Sequence, residues 1–197
     1  MKAAEDYIQS VKKQFLYYKT LADKAMAQLE PEQLFYSPDE DTNSIAIIVK
    51  HMYGNMMSRW TDFLTTDGEK EWRNRDDEFE NTYINKEALL CDWESGWSCL
   101  FTALNTVTPD NLNDIIYIRN EGHTVMEAIN RQLAHYPYHV GQIVFFAKMI
   151  KKTPWESLSI PKNKSGQYNS DKFAVEKSVK HFTESELKKL SDSEHNK

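Results

Sequence analysis

His135 and His139 stand four residues apart in the segment AINRQLAHYPYHVGQI. On a helix this spacing puts both imidazoles on one face, a turn apart, where they can converge on a single ion. His51, with Asn55 one turn further on, offers a third imidazole inside a second apolar stretch that includes Ile47, Ile48 and Met52. Three neutral imidazoles about 2.0 to 2.1 Å from a divalent ion leave a fourth position for water or substrate, which is the open geometry of catalytic zinc. Imidazole also suits nickel, iron and copper. The residues alone leave a second reading open, a polar layer in which the histidines satisfy one another without metal.

Around this trio the sequence offers further polar groups. Gln132, Gln142 and Phe146 share the helical stripe of His135 and His139. Glu121 and His123, next to Arg119, precede that helix and are candidate proton donors if their segment folds over the site. Tyr136 carries a phenol beside the ligands, while Tyr53, Trp60, Trp93, Trp97 and Tyr138 read with it mainly as core aromatics by spacing. Arg59 and Arg131 would suit an anionic substrate, although solvation at the surface is the commoner fate of such residues. His181 and His195 fall in a polar tail and read as solvated. No glutamate stands inside the HxxxH pair, so the base of an HExxH protease is not encoded there.

Four long helices must position these groups. Apolar residues recur at three- and four-residue steps from Asp6 to Leu29, and Pro31 closes that run. Asn43 or Ser44 caps a second helix through Ile45, Ile48, Met52, Met56, Trp60 and Phe63. The charged, aperiodic stretch TTDGEKEWRNRDDEFENT predicts a long surface connection, with Trp72 as its anchor. A third helix runs from Lys86 to Leu104. Alternation in IIYIRNEGHTV predicts an extended or hairpin piece turning at Asn120 to Gly122, before a fourth helix from Thr124 to Lys151. Pro137 lies between the two ligands of that helix and lacks the amide hydrogen for the helical bond, so a kink or wide turn is expected there. Residues 1–158 are expected to form one domain and 159–197 a polar, weakly helical tail.

Composition narrows the partners. The 197 residues are 40% hydrophobic and 27% charged, enough for one globular domain with a real core. A net charge of −6 with no basic stripe argues against nucleic acid. The chain has no apolar run long enough for a membrane span and no secretory signal at its start, so a cytoplasmic address is expected. Cys91 and Cys99 match neither a CxxC pair nor a zinc ribbon and read as buried thiols.

The combination of His51 in the second helix with the HxxxH and Gly-Gln of AINRQLAHYPYHVGQI resembles the DinB-like (DinB/YfiT) superfamily over about Met1 to Trp155. The stretches NSIAIIVKHMYGNMMSRWTDFLTTDGEK and HTVMEAINRQLAHYPYHVGQI are similar to an uncharacterised branch of it. The resemblance implies an all-α fold, a four-helix bundle in up-down-down-up order. It also implies a three-histidine site on His51, His135 and His139 for one divalent metal, zinc or nickel first and iron or manganese next, and a homodimer. It further implies a metal-dependent enzyme acting on a small molecule, either a thiol S-transferase or a hydrolase. A non-catalytic metal-binding or stress-response bundle is the alternative. Asn55, Glu121, His123, Tyr136 and Gln142 are the candidates for the surrounding pocket.

Overall fold

The three- and four-residue apolar steps become four long helices, α1 (Lys2–Met26), α2 (Ile45–Trp60), α3 (Lys86–Asn105) and α4 (Val125–Lys151). They are seen in a computed structural model that describes residues 2–151 and 154–192. Helix α1 packs on α4 and α3, and α2 packs on α3 and α4, so the four close around one core. Ile8, Val11, Phe15, Ala22 and Ala25 form the inward stripe of α1. Each large apolar side chain so buried contributes roughly 1.5–3 kcal/mol by leaving water.

The middle of the core is aromatic. Phe15 of α1, Trp97 of α3 and Tyr136 of α4 are fully buried, with ring centroids 5.9 to 6.4 Å apart. Gly96 lets α2 approach α3, because a Cβ there would stand 3.3 Å from the Tyr53 backbone. Trp60 and Trp93 are buried as their spacing predicts, Tyr53 is half-buried, and Tyr138 is exposed.

Ser44 is the cap of α2, its hydroxyl accepting from the Ile47 amide at 3.2 Å. That helix stops at Trp60, short of the predicted Phe63, because Asp62 takes a left-handed conformation with φ of 48°. Asn85 caps α3 through the Ala88 amide. Helix α4 runs unbroken through Pro137, so the expected wide turn is not formed.

The predicted hairpin is present, but it turns at Arg119 and Asn120 rather than at Asn120 to Gly122, since Glu121 and Gly122 are paired strand residues. Strands β1 (Ile115–Ile118) and β2 (Glu121–Thr124) pair antiparallel across Arg119 and Asn120, both at positive φ (56° and 61°), as a two-residue turn of this twist requires. The Asp67 carboxylate accepts from the Arg119 and Asn120 amides at 2.8 and 2.9 Å and so ties the turn to the connection after α2.

Two shorter helices follow, α5 (Ser165–Phe173) and α6 (Phe182–Asp192), making six helices among the described residues. Helix α6 packs on α1. His181 is therefore held rather than solvated, its Nε2 2.9 Å from the Ser10 hydroxyl and its Nδ1 2.7 Å from that of Thr183. His195 lies outside the described residues. Cys91 is exposed and Cys99 half-buried, which corrects the expectation of two buried thiols. Cys91 lies on the solvent side of α3, where an apolar-looking run still has an outer face. No helix among the described residues is long and apolar enough to cross a membrane.

Candidate metal centre

Helices α2 and α4 bring three imidazoles together. One ring nitrogen from each of His51, His135 and His139 lies within 4.8 Å of the others, so the three can hold a metal ion between them. Tyr136 sets the rotation of α4. With its ring locked in the core, His135 and His139 fall on the flank that faces α2. Their Nε2 atoms stand 3.0 Å apart, and the His51 ring centroid lies 5.5 and 4.9 Å from theirs. Nitrogens about 2.0 to 2.1 Å from a tetrahedral ion stand about 3.3 Å apart, within the range spanned here.

The opposite nitrogen of each ring is held by an oxygen. His51 Nδ1 donates to Glu78 Oε2 at 2.9 Å, His135 Nδ1 to Gln132 Oε1 at 3.1 Å, and His139 Nδ1 to Gln142 Oε1 at 2.7 Å. A proton on Nδ1 leaves Nε2 with a lone pair, and such outer partners both orient the ring and make Nε2 more basic. Three lone pairs therefore point at a common space. Burial, together with the neighbouring histidines, pushes His135 down to about 3, and burial likewise lowers His139. Both imidazoles are thus kept neutral, the state in which a histidine can ligate a metal.

Glu78 comes from the connection that looked like surface. Its side chain is buried, with the Arg73 guanidinium clamped on both oxygens at 2.7 and 3.0 Å. Burial alone would raise the Glu78 carboxyl, but the hydrogen bonds from His51 and Arg73 and the charge of Arg73 outweigh it and hold the group below the usual range. An ionised Glu78 only accepts, so it places the proton on His51 Nδ1. The carboxylate fits against α2 because position 54 is glycine. A Cβ there would meet Glu78 Cδ at 2.8 Å and its Oε1 closer still.

The clamp extends outward. Arg73 also meets Glu69 at 3.3 Å, and Glu69 pairs with Arg59 at 3.0 Å and Arg119 at 3.1 Å. Arg59 is buried rather than solvated, and it donates to the Gly68 carbonyl beside Ser58. The predicted anchor, Trp72, is instead 61% exposed. The connection is secured by ion pairs, not by an aromatic plug.

The remaining predicted residues separate. Gln142 is a direct partner of the site through His139. Asn55 and Tyr136 lie beneath it, where the Tyr136 hydroxyl donates to Asn55 Oδ1 at 3.0 Å and accepts from Trp60 Nε1 at 3.0 Å. Glu121 and His123 are not at the site. They stand on β2 opposite Ile118 and Ile116, and His135 lies ten residues beyond the start of α4, about 15 Å along its axis. Arg131 is exposed, with its charge near His135. Tyr138 is exposed, its ring 5.0 Å from that of His139, and Phe79 stacks on His51 at 5.3 Å. Sequence reasoning missed Glu78, Arg73 and Gly54. Only Gly54 left a signal, as a glycine in mid-helix, where close approach of another group is a common reason.

Residues 2–164 match the family described as Protein of unknown function (DUF1572), and the chain belongs to that family. No curated protein and no solved structure matches it.

Proposed function

We propose that this protein binds one divalent metal ion through His51, His135 and His139 and uses it as a metal-dependent enzyme of the DinB-like superfamily, its long helices forming that superfamily's up-down-down-up bundle. One observation carries the reading: a ring nitrogen of each histidine lies within 4.8 Å of the other two, while each Nδ1 faces an oxygen of Glu78, Gln132 or Gln142. An accidental polar layer would have no reason to orient every ring the same way. Zinc or nickel suits three imidazoles best.

A bound ion of this kind lowers the pKa of a water or thiol in its open position. The chain's own groups favour the thiol. The nearest carboxylate, Glu78, faces the outer nitrogen of His51 and is occupied by Arg73, so it is not free to take a proton from water on the open side. Transfer of a thiol sulfur needs less from a side-chain base than hydrolysis does. Phe79 and Tyr138 flank the cluster and would shield the reacting atoms from bulk water.

The test is elemental analysis of the untagged protein beside its His51→Ala and His139→Ala variants. Near-stoichiometric metal in the native protein, lost in both variants, is expected. A native protein that takes up none after incubation with zinc, nickel and manganese would overturn the reading.

A further inference from the structure

Past the hydrogen bond that orients His139, the Gln142 side chain also lines a cleft of 510 Å³. Its walls are Ile48 of α2, Phe145, Phe146 and Met149 of α4, and the loop around Asp41. On the other side of Met149 lies a second cleft of 560 Å³, reaching Glu32 and Tyr36. Met149 lines both, and Tyr36 stacks on Phe146 at 6.3 Å with the planes 18° apart, so the two clefts form one groove along α4. From Gln142 to Ile150 it covers about 12 Å of helix.

Two features of the groove define an occupant. Its apolar walls stay in water: Phe145 is 72% exposed, and Tyr36 and Met149 are each 49% exposed. Its charged lining is entirely acidic, Asp41 in one cleft and Glu32 in the other, with no lysine or arginine in either. The nearby Lys151 reaches away to Gln28. A ligand that covers the apolar wall and answers the carboxylates is an organic cation, and an exposed aromatic ring such as that of Phe145 suits a cation too.

We infer that this groove binds a small amphiphilic amine, an ammonium group on an aryl or alkyl body, with the body reaching Gln142 and the charge near Asp41 or Glu32. Binding itself does not require the metal reading.

Calorimetry on the full chain with 4-phenylbutylamine, 4-phenylbutyrate and 4-phenylbutanol tests this. The amine is expected to bind once per chain, about tenfold tighter than the carboxylate. The Glu32→Gln, Asp41→Asn double variant should erase that preference and leave the alcohol unchanged. Metal-free protein and the His139→Ala variant should bind the amine as the native protein does, so failure of the metal site and failure of the groove are told apart. The inference is overturned if the carboxylate binds as well as the amine, or if no probe binds. It is also overturned if the chain self-associates through Phe145, shown by loss of the dimer in Phe145→Glu, and the amine does not compete.

Discussion

Replacing Gly54 with alanine sets two effects of opposite sign against each other. In a helix interior the change ordinarily stabilises by about 1 kcal/mol, because alanine loses less backbone freedom on folding. Here the new Cβ would lie 2.8 Å from Glu78 Cδ, against 3.4 Å or more for ordinary contact. The carboxylate is the end of a flexible side chain, but it is not free to swing, since Arg73 and His51 hold both its oxygens. Withdrawing it by about 0.6 Å would stretch the His51 bond from 2.9 Å to about 3.5 Å, the edge of hydrogen-bond range. Loss of such an outer partner typically costs ~10–100-fold in metal affinity. Gly54→Ala should therefore bind zinc about 10–100-fold more weakly in competition with a chromophoric chelator, and should not gain the helical stabilisation in a melt of the metal-free protein. A variant that keeps native zinc affinity and melts higher would refute the reasoning, because it would mean that Glu78 does not sit against α2 as described.

The same geometry yields other outcomes. Tyr136→Phe strands the Asn55 carbonyl and the Trp60 indole N–H in the core, so urea unfolding should show a loss of about 1–3 kcal/mol per stranded group, whereas unchanged stability would deny the hydrogen-bonded layer. Ser44→Ala removes the cap of α2 and should cost about 1 kcal/mol in the same assay. Asp67 is partly desolvated, which would raise its carboxyl, but hydrogen bonds from the Asn120, Glu69 and Arg119 amides prevail and lower it. With the folded pKa below the unfolded value of about 3.9, its stabilisation is present above that value and lost as pH falls through the lower folded one. Asp67→Asn should flatten the acid limb of the stability curve and speed amide exchange at Arg119 and Asn120; an unaltered acid limb would count against the clasp.

Where the reading was local, it transferred to the structure. The three- and four-residue steps of Val11 and Phe15, or of Met52 and Met56, place side chains on one face of any helix, so the long helices were legible with ends correct to a few residues. The hairpin was legible for a similar reason, since alternation is a short-range feature, but its turn was placed at Asn120 to Gly122 and falls at Arg119 and Asn120. The charged connection misled on Trp72, and Arg59 at the end of α2 misled likewise, because hydropathy scores an isolated side chain. A guanidinium is buried when carboxylates and carbonyls meet it, and here an irregular stretch that no periodicity describes brings them round. Cys91 misled in the opposite sense, since an apolar composition does not say which face of α3 a thiol occupies.

By itself the sequence determined the four long helices and the pairing of His135 with His139, because a 100° turn per residue leaves side chains four apart no choice but to be neighbours. Only the tertiary structure decided that α2 presents His51 to that pair. It likewise decided that Glu78, 27 residues further along an irregular stretch, folds back through the notch at Gly54 to hold the third ring. That contact follows no period. Its position depends on Arg73, Glu69 and the hairpin clasp acting together, and a conformation held by partners distant in sequence leaves no repeating trace in the segment that adopts it.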